Sequence, residues 1–210
     1  TRPDIACVVS CASKHLQSPT MADMAAVIRV YKYLVHTMDM CLTYDSTDCT
    51  MSVTTDANYA GCTETSRSQT AFVITLFGGL VAWKSTRQPS VALSTAEAEF
   101  MAMCAGAQEL LWLRQFLTEL GIPDLTPHTT TPLHMHSDNH AAIKMAAEGA
   151  DSNRTKHINI RYHFLKELCE EGVIEASYVP SEDNKADMLT KPLQRLKLNH
   201  NKMIVGLLNP

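Results

Sequence analysis

The sequence lacks the features that mark membrane-spanning and disulfide-stapled proteins. Its longest nearly apolar stretch, residues 71–83, is interrupted by Thr75 and by Gly78-Gly79. A membrane helix needs roughly 20 consecutive apolar residues, so this stretch is too short to span a bilayer. The seven cysteines include no C-x-x-C pair, which is typical of reduced thiols inside a cell. These absences argue against a transmembrane helix and a secreted disulfide scaffold.

The chain also lacks a strong charge of either sign. Its 210 residues carry 18 basic and 22 acidic side chains, giving a formal net charge of −4. Bulk electrostatic binding of nucleic acid requires a strongly basic protein. Any contact with nucleic acid therefore has to come from local patches.

The amino terminus has neither an initiating methionine nor a basic-then-apolar signal sequence. We expect from this that the chain is a segment of a longer polyprotein and is not secreted. At 45% apolar and 19% charged residues, its composition suits one full globular core with a smaller additional part.

Hydrophobic periodicity divides the chain near residue 45. Thr20 and Asp23 form a capping signal, and apolar residues then recur at helical spacing as far as Val35, which predicts an amphipathic helix. Beyond the polar stretch 45–49 the pattern alternates as in β-strands. We expect three parts: a helical N-terminal appendage over 1–45, a main domain over 46–195 and a C-terminal tail over 196–210.

The main domain alternates strand and helix patterns. Gly78-Gly79 is the turn of a predicted hairpin, and Ser94 with Glu97 forms a capping box for a long helix that ends at Gly121. In chain order, strands are predicted over 51–56, 71–77, 80–85, 132–138 and 173–179, with one helix after the third, two after the fourth and a short one after the fifth. This order predicts an α/β fold with a mixed five-stranded sheet flanked by helices.

Four carboxylates stand where this fold could bring them together: Asp56, Glu99, Asp138 and Asp187. Asp56 and Asp138 end predicted strands, and ligands of α/β sheets bind near such ends. Glu99 is a better candidate than Glu97, because Glu97 belongs to the capping box whereas Glu99 lies on an apolar helix face, where an uncompensated carboxylate is costly. Clustered carboxylates suit Mg²⁺. The pattern is compatible with a pair of ions for phosphodiester hydrolysis.

Structural interpretations of these residues stay open. Asp56 and Asp138 could each cap the turn or helix that follows them. Asp187 competes with two other acidic residues near the start of the same short helix, where the helix dipole favours negative charge. A zinc site is a further interpretation, because His134, His136 and Asp138 alternate onto one strand face, although a strand supplies only three ligands.

Six motifs together resemble the ribonuclease H domain of copia-type retrotransposon polyproteins. They are TRPDIA at the start, DANYAG around Asp56, VALSTAEAEFMA around Glu99, HSDNHAAI around Asp138, RTKHINIRYHF, and NKADMLTKPL around Asp187. The resemblance covers nearly the whole chain and implies a ribonuclease H-like fold for the main domain. It implies that residues 1–45 are the tail of a reverse transcriptase, a thumb or connection remnant. It also makes the four carboxylates the catalytic and metal-binding residues.

The implied function is a metal-dependent endonuclease that hydrolyses the RNA strand of RNA/DNA hybrids during reverse transcription. Two Mg²⁺ ions, with Mn²⁺ as a substitute, would be its cofactors. Its partners would be the hybrid and the polymerase portion of the same polyprotein. Its place would be intracellular, in a cytoplasmic virus-like particle or the nucleus.

Contacts with the hybrid are expected from polar and basic side chains near the carboxylates. The candidates are Asn58, Ser137, Asn139, Arg154, Lys156, His157, Lys185 and Lys191. For the basic residues, ordinary solvated surface is an equal alternative. Two other functions remain open: a catalytically idle or domesticated module that binds hybrid or a protein partner, and a DNA strand-transfer enzyme of the same fold.

Overall fold

A computed structural model describes residues 1–45, 48–121, 132–148 and 156–209, with only the backbone of residues 156–159 included. Within these residues the strands are β1 (Cys41–Leu42), β2 (Ser52–Asn58), β3 (Gln69–Leu76), β4 (Gly79–Arg87), β5 (Leu133–Ser137), β6 (Ile174–Tyr178) and β7 (Leu207–Leu208). The α-helices are α1 (Ala6–Ala12), α2 (Met21–His36), α3 (Thr95–Glu119), α4 (His140–Glu148), α5 (Lys156–Glu170), α6 (Asp187–Thr190) and α7 (Arg195–Ile204). Short 3-10 turns flank α1.

The main sheet has the strand order β4-β3-β2-β5-β6. Strands β2, β3 and β4 pair antiparallel in succession, whereas β5 pairs parallel with both β2 and β6. The β3–β4 hairpin turns at Phe77 and Gly78, where both residues have positive φ, a conformation that glycine adopts at little cost. The predicted mixed five-stranded sheet flanked by helices is confirmed.

Two apolar cores lie on opposite faces of the sheet. On one face, α3, α4 and α5 pack on side chains that include Phe72 and Ile74 of β3. On the other face, α1, α6 and the C-terminal segment pack on Ala71 and Val73 of the same strand. Because side chains alternate along a strand, β3 is buried on both faces and belongs to both cores.

Helix α3 crosses the sheet very close to β2. A Cβ atom built on Gly106 would lie 2.8 Å from Thr55 Cγ2 and 3.1 Å from Val53 Cγ2, so the absence of a side chain permits this approach. At the start of α3, Ser94 Oγ accepts from the Glu97 backbone N–H at 3.1 Å. The Glu97 carboxylate instead accepts from the Leu93 N–H at 3.0 Å, which completes a variant of the predicted cap.

The N-terminal residues are helical, as predicted. Thr20 and Asp23 make both hydrogen bonds of a capping box at the start of α2. No residue of α2 is buried, however. The N-terminal part is attached through α1, which contacts β4, and through β1, which pairs with β7.

Residues 196–210, for which sequence analysis predicts no element, supply most of α7 and all of β7. Among the described helices, none is both long and apolar enough for a membrane crossing.

Candidate functional site

Three of the four candidate carboxylates converge at one edge of the sheet. Asp56 lies on β2, Glu99 on α3 and Asp138 directly after β5. Each offers a carboxylate oxygen, and these oxygens lie within 4.8 Å of one another. Because β2 and β5 are parallel neighbours, their C-terminal ends meet at the same edge. We call these three residues the carboxylate cluster.

Burial and repulsion by neighbouring carboxylates raise the pKa values of two residues of the cluster, Asp56 and Glu99. Asp56 is 2% exposed and Glu99 is 7% exposed. Burial, the charge of Asp187 and that of Asp138 raise the pKa of Asp56 to about 7, although Lys191 and Thr190 oppose the shift. Burial and the carboxylates of Asp56 and Asp138 raise the pKa of Glu99 to about 9. Such a group of acceptors favours a bound cation, which would permit Asp56 and Glu99 to ionise.

Asp187 lies beside the cluster but has a different environment. Its side chain is fully buried on α6, and its charge acts on Asp56. Lys191 Nζ lies 2.6 Å from Asp187 Oδ1, and Lys197 Nζ contacts Asp187 Oδ2. The structure therefore brings the fourth candidate to the same edge, where two ammonium groups neutralise it.

Several supporting side chains were missed by sequence analysis. Thr190 Oγ donates to Asp56 Oδ2, and Ser181 Oγ donates to Asp138 Oδ2 at 2.6 Å. The fully buried Asn184 donates from Nδ2 to the Thr55 carbonyl at 3.1 Å, so it ties the segment before α6 to β2. These residues lie in a polar stretch of ordinary turn composition, and no sequence signal distinguishes them from capping residues.

The structure assigns the helix-capping position to Asn139 rather than Asp138. Asn139 Oδ1 accepts from the Ala142 N–H at 3.0 Å at the start of α4. The neighbouring Ser137 is buried, and its Oγ accepts from the Asn139 N–H at 3.3 Å. The capping interpretation of Asp138 is therefore wrong, and Asp138 offers an oxygen to the cluster. The side chains of Ser137 and Asn139 are engaged in local structure.

The other predicted substrate contacts fall in different places. Asn58 Nδ2 lies 3.5 Å from the Thr190 carbonyl, beside the cluster. Burial lowers the pKa of Lys185, which is only partly exposed. Lys191 contacts Asp187 instead of standing free. Arg154 lies outside the described residues, as do the side chains of Lys156 and His157.

The two histidines of β5 have partners of their own. His136 Nδ1 lies 2.8 Å from Ser177 Oγ, and His134 Nδ1 lies 3.5 Å from a carboxylate oxygen of Glu175. Among the described residues, the carboxylate cluster is the one group of three or more His, Cys, Asp or Glu side chains with metal-binding geometry. The geometry therefore does not support a zinc site formed by His134, His136 and Asp138.

No protein-family model matches the chain. Over 207 residues, 99% of the chain, it is 35% identical to the retrovirus-related Pol polyprotein from transposon TNT 1-94 of Nicotiana tabacum. Over 209 residues it is 30% identical to the corresponding polyprotein from transposon RE2 of Arabidopsis thaliana. The chain spans only 15% and 14% of the lengths of these two relatives.

Solved structures with a similar arrangement include two ribonucleases H. The LC11 ribonuclease H1 isolated from compost is 14% identical, with a TM-score of 0.49 over 67% of this chain and 92% of that chain. A ribonuclease H domain from Mycobacterium tuberculosis is 13% identical, with a TM-score of 0.46 over 74% of this chain and 97% of that chain. Identification rests on the sequence relatives. The chain is a homologue, across nearly its whole length, of one segment of the Pol polyproteins of plant copia-type transposons.

Proposed function

We propose that the chain is a ribonuclease H domain, a metal-dependent endonuclease that hydrolyses the RNA strand of RNA/DNA hybrids during reverse transcription. The observation that carries this proposal is the convergence of the oxygens of Asp56, Glu99 and Asp138 within 4.8 Å. Homology to transposon Pol polyproteins supports the biological setting. The polymerase portion of such a polyprotein would be the partner that presents the hybrid.

The residues of the site fit a divalent cation. Glu99 Oε2 is buried and has no hydrogen-bond partner among the described residues, and an unsatisfied buried carboxylate oxygen is costly. Carboxylate oxygens are the ligands that Mg²⁺ and Mn²⁺ prefer. Asp56, Glu99 and Asp138 would hold one ion, and Asp187 would contribute to holding a second. When bound, such ions supply an activated water and stabilise the departing 3′ oxygen.

Neighbouring side chains hold the carboxylates in place for this role. Thr190 donates to one oxygen of Asp56 and Ser181 to one oxygen of Asp138, while each of the two carboxylates offers an oxygen to the cluster. Near neutral pH the raised pKa values of Asp56 and Glu99 mean that protons are released when a cation binds. Positioning by fixed hydrogen bonds reduces the reorganisation needed during reaction.

Contacts with the hybrid would be independent of base sequence. Phosphate and 2′-hydroxyl groups are read by donors and acceptors near the scissile bond. We propose Asn58, Lys185, Lys191 and the backbone of Ser137 and Asn139 for this role. Arg154, Lys156 and His157, near the start of α5, are proposed for the phosphates.

A cleavage assay with a labelled RNA/DNA hybrid and Mg²⁺ tests this function. Asp138→Asn retains the size of the side chain but removes ligand charge, so cleavage should fall by about 10²–10³-fold, as expected when several kcal/mol of charge stabilisation are lost. Asp183→Asn is the matched control, because Asp183 is exposed and pairs with His200 instead. Duplex DNA and duplex RNA should remain intact.

The alternative of an idle binding module makes a different prediction for the same assay. Such a module would bind hybrid with no cleavage at any concentration of Mg²⁺ or Mn²⁺. Full Mg²⁺-dependent cleavage by Asp138→Asn would refute the assignment of the cluster. Cleavage of every duplex alike would refute hybrid specificity.

A further inference from the structure

Asp187 differs from the carboxylate cluster in that it already has cationic partners. Its side chain is fully buried, and its two oxygens contact Lys191 and Lys197, respectively. A buried carboxylate is tolerated only when it is paired. We call Lys191 and Lys197 the lysine pair.

The lysine pair changes the charge that a metal must neutralise. Four ionised carboxylates carry a formal charge of −4, and the lysine pair contributes +2. The remaining −2 is matched by one divalent cation at the cluster, where the ligand oxygens have no ammonium partner among the described residues. A second divalent cation that used Asp187 would meet an ammonium group at each oxygen.

The position of Lys197 makes it the partner that can leave. The side chains of Lys197 and Lys191 are 34% and 41% exposed, so exposure does not distinguish them. Lys197 comes from a separate element, the first turn of α7, whereas Lys191 lies four residues after Asp187 and is held beside it by the chain. Lys197 Nζ also donates to the Ser181 carbonyl at 2.9 Å. Since Ser181 donates to Asp138, Lys197 connects the two parts of the acidic site through one residue.

We propose that the lysine pair occupies the place of a second divalent cation in the metal-free protein, so that two cations bind in sequence. The first binds at the carboxylate cluster with the lysine pair intact. The second binds to Asp187 only as Lys197 leaves. Lys197 is thus a positioning residue, and it comes from the predicted C-terminal tail, outside the main domain predicted over 46–195. This inference rests on the proposed function.

Counting of bound Mn²⁺ by calorimetry on the full chain tests the proposal. The wild-type chain should bind one ion tightly and a second at least about tenfold more weakly, because an ammonium–carboxylate contact has to be broken. Lys197→Met should tighten the second site by about tenfold and leave the first within about twofold. Lys197→Arg should retain the weak second site, and Lys166→Gln is the matched control, because Lys166 pairs with Glu170 on the surface of α5.

Chemical labelling of the wild-type chain gives a second readout that needs no variant. Acetic anhydride acetylates free amines, so saturating Mn²⁺ should increase the labelling of Lys197 relative to Lys166 in the same sample, as measured by mass spectrometry. Unchanged labelling, or a second site that Lys197→Met fails to tighten, would overturn the proposal.

The outcomes also separate this inference from the proposed function. Two equally tight Mn²⁺ sites, together with hybrid cleavage that Asp138→Asn abolishes, would refute the lysine pair alone. Absence of any Mn²⁺ or Mg²⁺ binding at millimolar concentration would refute both.

Discussion

The two parts of the acidic site contain the same kind of side chain with different charged neighbours. In the carboxylate cluster, Asp56 and Glu99 are buried beside one another and their pKa values are raised to about 7 and about 9. Asp187 is at least as deeply buried, yet it is neutralised by Lys191 and Lys197. Burial alone therefore does not decide which carboxylate is available to a cation. What decides it is whether ammonium groups lie beside the carboxylate, as Lys191 and Lys197 do beside Asp187.

The largest expected effect is the response of the carboxylate cluster to pH, through Glu99. The pKa of Glu99 is about 9 in the folded chain, against an ordinary value of 4.5 for a glutamate carboxyl. Above pH 4.5 the unfolded carboxyl ionises while the folded one stays protonated, so stability falls as pH rises towards 9. The slope approaches about 1.4 kcal/mol per pH unit for one proton.

Urea unfolding of the metal-free wild-type chain and of Glu99→Gln between pH 5 and 8.5 measures this effect. The difference in stability should move steadily in favour of Glu99→Gln, because only the wild type carries the titrating carboxyl. Saturating Mg²⁺ should reduce the decline in the wild type, since a bound cation favours the ionised form. A difference that is constant across this range would show that Glu99 is not perturbed.

The second prediction concerns Asn184, which ties the segment before α6, the helix that carries Asp187, to strand β2. Asn184 donates to the Thr55 carbonyl and accepts from the Ala186 N–H at 2.9 Å, both in buried surroundings. Asn184→Ala leaves both groups unsatisfied and should lower the free energy of unfolding by about 2–3 kcal/mol. The control is Asn199→Ala, which changes an exposed residue of α7. An equal effect of the two substitutions in urea unfolding would contradict this role of Asn184.

The third prediction concerns the packing of α3, the helix that carries Glu99, against β2. It has the smallest expected change in stability. Gly106→Ala places a methyl group 2.8 Å from Thr55 Cγ2, and overpacking of this kind costs about 1–3 kcal/mol. Alanine recovers about 1 kcal/mol of helix propensity, so the net loss should be about 1 kcal/mol by thermal unfolding. Gln108→Ala, at an exposed position of the same helix, should change stability by less than about 0.5 kcal/mol. A gain in stability for Gly106→Ala would show that α3 can move away from β2.

Local signals in the sequence were sufficient for most of the elements. The capping box at Thr20 and Asp23 correctly located the start of α2. The glycine pair at the β3–β4 turn and the long apolar pattern of α3 were equally informative. These features succeed because the residues that determine them lie within a few positions of one another.

Elements fixed by distant contacts were not predicted. Strand β1 and strand β7 are two residues each and exist because they pair with one another. Helix α7 lacks a side-chain cap, and its buried Asn201 donates to the Asn184 carbonyl at 2.8 Å. The sequence predicts α2 as an amphipathic helix, and its residues are exposed or only partly buried. Periodicity identifies a helix without showing what it packs against.

The sequence by itself determined the strands and helices of the main domain and identified four acidic residues as candidates for one site, because capping, turn chemistry and alternation are local. Only the tertiary structure decided how those carboxylates differ. Parallel pairing of β2 with β5 and the close approach of α3 bring Asp56, Glu99 and Asp138 together. The C-terminal segment delivers Lys197 to Asp187. The interaction between two charges depends on the distance between them in space. For residues ten or more positions apart in the sequence, only folding brings the charges close together.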